Sequence, residues 1–162
     1  MNASSPIKTT DLCDAHPETQ SCETQFVGYG RRRAFFGRIR TVKCHEDNAL
    51  LKTVISGHGR GDVLVIDGGA SYRCALMGDV IAGLGLQNGW AGAVINGVVR
   101  DVTALESMDF AVKALGSNPR RGAKSGAGQV DVPVAFGGTT FTPGHWLYSD
   151  EDGILVSAAP LT

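Results

Sequence analysis

Apolar residues fall into two rhythms along this chain. In its first two thirds, short apolar runs alternate with stretches of helical spacing. "DVLVID" (Asp62–Asp67) is apolar at four consecutive positions and is closed by Gly68-Gly69. That is the pattern of a strand buried on both faces and running into a turn. "AGAVING" (Ala91–Gly97) has the same character, and "AFFGRIRTVKC" (Ala34–Cys44) leans to strand through its aromatic and β-branched residues. "EDNALLKTVIS" (Glu46–Ser56) puts Leu50, Leu51, Val54 and Ile55 on one helix face. Asp79–Asn88 reads as a second helix, weakened by Gly83 and Gly85. Thr103-Ala104-Leu105-Glu106 fits a capping box and predicts a short helix starting there.

Beyond about residue 110 the rhythm changes. "FAVKAL", "QVDVPVAF", "TTFT", "HWLYS" and "GILVS" are short strand candidates separated by Gly, Pro and Asp. The pattern predicts an α/β fold with a β-rich C-terminal third. Residues 1–20 are polar and are read as partly loose. No internal repeat or linker breaks the chain, so residues 1–162 are expected to form a single domain. A domain of this length buries roughly 70% of its unfolded surface and needs no disulfide or structural metal.

Composition narrows the partners. The net charge is −1, which gives no general electrostatic reason to expect nucleic acid or an acidic membrane. Glycine, at 22 residues, is about twice as frequent as usual and points to tight turns and close backbone approach. Cys13, Cys22, Cys44 and Cys74 form no CxxC pair and are read as reduced thiols. "MNASSPIKTT" lacks the apolar core of a signal peptide, and no run approaches the length of a membrane helix. Asn2-Ala3-Ser4 matches a glycosylation acceptor and is read as chance. The expectation is a cytoplasmic protein.

The candidate chemistry sits where "VINGVV" ends on Arg100 and Asp101. From Asp79 the chain runs out along a helix of about ten residues, roughly 15 Å. It returns along a strand of about five or six residues, roughly 17–20 Å. These lengths nearly cancel. Asp79 and Arg100 should therefore meet at the carboxyl end of the sheet, where open α/β folds bind ligands. Asp101 is little needed as a helix cap if Thr103 and Glu106 form one. An Arg100–Asp101 ion pair is expected to be poor, because adjacent strand residues point to opposite faces. The residues alone leave two readings open, a solvated strand end or a site for a small anion with a metal.

With those residues in place, "GDVLVIDGGASYRCALMGDVIA" followed by "GAVINGVVRDVTAL" resembles a known family. It joins the class II 4-hydroxy-4-methyl-2-oxoglutarate aldolases with the proteins called regulator of ribonuclease E activity A. The aldolase signature is Asp, twenty residues, then Arg-Asp; here Asp79 is followed by Val80 to Val99 and then Arg100-Asp101. "EDNALLKTVIS" and "GGTTFTPGHWLYSDEDGILVS" extend the likeness over nearly the whole chain, whose length is closer to the regulator branch.

The resemblance implies a swivelling β/β/α layered domain and a homotrimer with sites near subunit contacts. It implies that Arg100 binds the carboxylate or keto oxygen of a pyruvate unit. Asp101 would ligate a divalent metal, Mg²⁺ or Mn²⁺, and Asp79 would lie near water held by that metal. The backbone around Gly78, Asp79, Val80 and Ile81 would contact the substrate. An acidic residue of a neighbouring subunit also contributes in the longer enzymes and has no assigned position here. The implied chemistry is cleavage of 4-hydroxy-4-methyl-2-oxoglutarate and decarboxylation of oxaloacetate. Both release pyruvate enolate, whose charge a chelated divalent cation stabilises. Arginine suits a carboxylate because its guanidinium is a planar fork. No lysine falls in the signature, so a Schiff-base aldolase is the less natural reading, with Lys113 and Lys124 left open for it.

Other signals are read as structural. Arg31-Arg32-Arg33 is a solvated loop, and "GGAS" (Gly68–Ser71) a turn supporting the substrate site, since it lacks the lysine of a phosphate loop. His16, His45, His58 and His145 show no ligand spacing, and Trp90, Trp146 and Tyr148 are read as packing. Two functions compete. One is a metal-dependent lyase of 2-keto acids. The other is an interaction protein that inhibits ribonuclease E by contact.

Overall fold

Strands without a polar face need cover on both sides, and that requirement sets the architecture. The structure is a computed structural model that describes residues 7–162. The Asn2-Ala3-Ser4 triplet and the first six residues of the polar stretch lie outside the described residues. In chain order the elements are α1 (Thr9–Ala15), β1 (Gln20–Ser21), β2 (Val27–Gly28), β3 (Phe35–Lys43), α2 (Ala49–Ile55), β4 (Val63–Asp67), β5 (Ala75–Met77) and α3 (Asp79–Gln87). They continue with β6 (Gly92–Val99), α4 (Val102–Ser107), β7 (Ala111–Ser117), β8 (Gln129–Val130), β9 (Val134–Phe136), β10 (Thr139–Phe141), β11 (Trp146–Ser149) and β12 (Ile154–Ser157).

The four central strands, β3-β4-β6-β7, are parallel. Alternate residues of β4 face opposite layers. Leu64 and Ile66 join Leu51 and Ile55 of α2, Ile81 of α3 and Leu105 of α4 in a helix-side core. Val63 and Val65 join Val134, Phe141, Leu147 and Ile154 in a core made with the late strands. The sheet continues antiparallel from β3 through β11, β12 and β1. Because Leu147, Ile154 and Val156 pack on Val63 and Val94, this extension folds back over the face of the parallel strands. Helices, parallel strands and returning strands thus form α, β and β layers. The expected β/β/α fold with a β-rich C-terminal third holds.

Several local expectations change. The stretch up to residue 20 is not loose where it is described: it contains α1. The Thr9 amide and hydroxyl donate to the two oxygens of Asp150, at 2.7 and 2.6 Å. "QVDVPVAF" is not one strand. Pro133 and the left-handed Asp131 (φ 54°) divide it into β8 and β9. The capping box does not form. Helix α4 starts at Val102, with Asp101 at the N-cap position, so Thr103 lies inside the helix. Gly85, read as a weakness of α3, is a packing requirement instead: a Cβ there would come within 2.6 Å of the Phe110 ring.

A candidate active site at the carboxyl end of the parallel strands

Strand β4 pairs with β6 only as far as Asp67↔Asn96. The chain then leaves the sheet and returns as β5, which pairs with the last residues of β6, Ala75↔Val98 and Met77↔Val99. Sequence pattern missed this three-residue strand, yet it sets the site. It delivers Gly78 and Asp79 beside the end of β6, where Arg100 and Asp101 emerge. The Arg100 amide still donates to the Met77 carbonyl at 3.0 Å, and the chain then turns sharply. Asp101 is left-handed, with φ 57° and ψ 43°. That turn aims its carboxylate back across the β5–α3 junction, where Oδ2 accepts the Asp79 amide at 3.2 Å. Gly78 is required by this approach, since a Cβ there would collide with the same Oδ2. The turn also brings Arg100 Nε within 4.0 Å of Asp101 Oδ2, so the ion pair expected to be poor does form, at the edge of contact. Both side chains stay partly open, at 37% and 40% exposure.

These groups line a cleft of about 640 Å³ between α2, the start of α3 and the loop after β7. Gly78, Asp79, Val80, Ile81, Arg100 and Asp101 all contribute to its wall. Val80 is 66% exposed, whereas the Ile81 side chain is buried in the helix-side core, so Ile81 offers the cleft mainly backbone. The amides of Val80 and Ile81 have no acceptor among the described residues, as expected in the first turn of a helix. They add partial positive charge to the site.

Further cations line the cleft that the sequence did not single out for binding. Lys52 comes from α2 and Arg121 from the loop after β7; Lys124, which the sequence left open as a Schiff-base lysine, comes from the same loop and also lines the cleft. Asn48 at the N-cap of α2, Lys52 within it and Ser56 at its C-cap, spaced four residues apart, line the cleft along one side of the helix, beside the buried Leu51 and Ile55. That spacing was a legible signal. The loop had none, because its placement depends on Asp47. This buried carboxylate accepts the Ser125 amide and hydroxyl through Oδ2, at 2.7 and 2.5 Å. Oδ1 accepts the amides of Ala49 and Gly126, at 3.1 and 3.2 Å. The Ser125 hydroxyl bond, with the backbone amides, outweighs the penalty of burial and lowers the carboxyl to about 2.

Other candidates fall outside the cleft. Lys113 is buried, and its ammonium donates to the carbonyls of Asp150 and Gly153, at 2.5 and 3.5 Å. Burial pushes its pKa down against the raising pull of Asp150. The Gly68–Ser71 turn does not reach the cleft, contrary to its expected supporting role; Gly68 and Ala70 instead donate to the Asn96 carbonyl. Arg32 forms a two-pronged contact with Asp109 at 3.3 Å, and Arg33 donates to the Gly28 carbonyl. The four cysteines are free, and burial raises the Cys44 thiol to about 12. Among the described residues no histidine lines the cleft. Among the described residues no cluster of three His, Cys, Asp or Glu side chains could hold a metal unaided.

The family profile described as RraA-like, Aldolase/RraA, matches residues 9–156. The chain belongs to the RraA-like family. This RraA-like chain is 52% identical over 156 residues to a protein of Aromatoleum aromaticum, covering 96% of this chain and 98% of the relative. That relative is provisionally named a 4-hydroxy-4-methyl-2-oxoglutarate aldolase. Among solved structures it is similar to the RNA-processing inhibitor RraA from Thermus thermophilus, with a TM-score of 0.93, 42% identity and coverage of 96% and 95%. It is equally similar to a structure from Geobacillus kaustophilus named as an S-adenosylmethionine:2-dimethylmenaquinone methyltransferase, with a TM-score of 0.94, 41% identity and coverage of 96% and 97%. One fold thus carries three functional names, so function must be argued from the cleft.

Proposed function

We propose that this RraA-like chain is a divalent-metal-dependent lyase. It cleaves 4-hydroxy-4-methyl-2-oxoglutarate to pyruvate and decarboxylates oxaloacetate, in both cases through pyruvate enolate. The observation that carries this reading is the convergence of Arg100, Asp101 and Asp79 on one cation-rich cleft. The provisional aldolase name of a relative at 52% identity supports it.

The donor set fits Mg²⁺ or Mn²⁺. Asp101 keeps Oδ1 without a partner among the described residues while Oδ2 is steadied by the Asp79 amide. Hard cations of this kind take one or two carboxylates and keep several waters, so a third protein ligand is not required. When bound, the ion supplies Lewis-acid stabilisation of the enolate charge. Arg100 binds and orients the pyruvyl carboxylate through its fork. The Val80 and Ile81 amides add a positive edge to the same end. Asp79, exposed on the first turn of α3, is the base that takes the proton of the 4-hydroxyl. The C3–C4 bond then breaks, its electron pair passes into the enolate, and the other fragment leaves as the second pyruvate. Protonation of the enolate at C3 completes the turnover. With oxaloacetate the same bond breaks and the leaving group is carbon dioxide.

A second reading, inhibition of ribonuclease E by contact, is favoured by the likeness to an RNA-processing inhibitor over 96% of this chain. It draws on a broad surface and coexists with the lyase. The methyltransferase name draws less support, because a cleft with four cationic side chains against two carboxylates suits an anion better than a sulfonium cation. A homotrimer and a cytoplasmic setting belong to the same proposal. Free cysteines fit a reducing compartment, and no helix among the described residues is long and apolar enough to cross a membrane.

The test is Asp101→Asn, assayed with oxaloacetate across a Mg²⁺ titration and, separately, for inhibition of ribonuclease E. The lyase rate should fall at least about tenfold at low metal and recover in part with excess metal. Any inhibition should persist. Wild-type rates with wild-type metal dependence would overturn the lyase reading.

A further inference from the structure

The proposed substrates carry two carboxylates, and the signature accounts for one. On the lyase reading, Arg100 and the metal would together hold the pyruvyl end. The carboxylate at the far end would then also lie in the cleft, and leaving it there without a partner would carry a large desolvation penalty. Its partner must come from the remaining cations of the wall, namely Lys52, Arg121 and Lys124.

Arg121 is distinguished among them by how its main chain is held. On one side, the Ala75 amide donates to the Arg120 carbonyl at 2.7 Å, and Ala75 and Arg121 form a parallel bridge. On the other side, the Ala123 amide donates to the Glu46 carbonyl at 2.9 Å, and the Asn48 amide to the Ala123 carbonyl at 3.3 Å. The segment is therefore stitched between β5 and the start of α2, both of which line the cleft. Gly122 is part of that fit, since a Cβ there would collide with the Glu46 carbonyl. Ala75 lies three residues before Gly78, so the strand that fixes Arg121 is also the one that sets the substrate turn. No carboxylate among the described residues lies within ion-pair distance of the Arg121 guanidinium. A planar fork on a fixed backbone, unpaired and facing a cleft, suits a carboxylate better than a flexible ammonium does.

We propose that Arg121 binds the distal carboxylate of a dicarboxylic 2-keto acid and so selects dicarboxylic over monocarboxylic substrates. The proposal rests on the lyase reading for the position of the pyruvyl end.

The test is calorimetric titration of the intact protein in Mg²⁺ buffer with 2-oxoglutarate and with pyruvate. 2-Oxoglutarate has the distal carboxylate but lacks the 4-hydroxyl, so it binds without being cleaved. Wild type should bind it at least about tenfold more tightly than pyruvate. Arg121→Gln should abolish that preference and leave pyruvate affinity within about twofold. Arg121→Lys should restore only part of it. Circular dichroism serves as the folding control. The proposal is overturned if wild type shows no preference, if the preference survives in Arg121→Gln, or if pyruvate affinity falls equally. A preference that depends on Arg121 in a protein without lyase activity would sink the lyase reading alone. Cleavage by wild type with an unchanged preference in Arg121→Gln would sink this inference alone.

Discussion

Replacing Asp47 by asparagine tests whether the cleft loop hangs on one buried carboxylate. Each oxygen of Asp47 accepts two donors, Ser125 N–H and Oγ–H on Oδ2, Ala49 N–H and Gly126 N–H on Oδ1. An amide has only one oxygen, so either orientation of the asparagine leaves two donors facing its NH₂. An unsatisfied buried donor costs about 1–3 kcal/mol, and rotation of the Ser125 hydroxyl relieves part of it, so the total is about 2–4 kcal/mol. For a chain of this size each kcal/mol lowers Tm by about 2–4 °C, giving a fall of roughly 5–10 °C near neutral pH. The pH dependence carries a definite sign. The folded carboxyl sits at about 2 against an ordinary 3.8. At about 1.36 kcal/mol per unit this is at most about 2.5 kcal/mol, and screening by nearby solvent trims it toward 1–2. A lowered folded value means that the stabilisation is present above pH 4 and is lost as pH falls through 2. The Tm gap between wild type and Asp47→Asn should therefore narrow between pH 4 and pH 2 in thermal scans followed by circular dichroism. A gap that stays constant over that range, or one below about 1 °C at neutral pH, would refute the clamp.

Two further substitutions probe the site and its surroundings. Gly78→Ala keeps an allowed backbone, since φ is −128°, but its Cβ would strike Asp101 Oδ2; apparent Mg²⁺ affinity in the oxaloacetate assay should weaken about tenfold with Tm nearly unchanged, and unaltered metal dependence would count against the geometry. Lys113→Met should lower urea stability by about 1–3 kcal/mol through the two abandoned carbonyls, while lyase kinetics stay unchanged; loss of turnover in the folded variant would revive a Schiff-base role.

What could be read from the sequence followed from local physics. β4 and β6 stood out because burial on both faces gives unbroken apolar runs. The meeting of Asp79 with Arg100 and Asp101 followed from helix rise against strand rise. What was missed depends on distant partners or special backbone. Thr9 and Asp150 are separated by 141 positions, so nothing near α1 announces that it is tied down. Asp47 and Ser125 are 78 apart, which hides the device that brings Arg121 and Lys124 to the cleft. β5 is too short to show alternation and exists because β6 leaves it a place beyond the end of β4. The capping-box pattern at Thr103 misled because Asp101 turns left-handed and starts the helix earlier. The same turn explains the unexpected approach of Arg100 to Asp101.

The left-handed backbone at Asp101 sets folding and chemistry against each other. An L-residue with a side chain in that region costs about 1–2 kcal/mol, which glycine avoids and asparagine tolerates. Selection for thermal robustness alone would therefore drift away from aspartate at 101, toward glycine or asparagine. A directed-evolution campaign scored only on heat resistance should reach such a replacement readily and, on the proposed lyase reading, lose metal-dependent turnover in the process. If Asp101 holds the metal as proposed, aspartate at this position is a standing concession of robustness to that role.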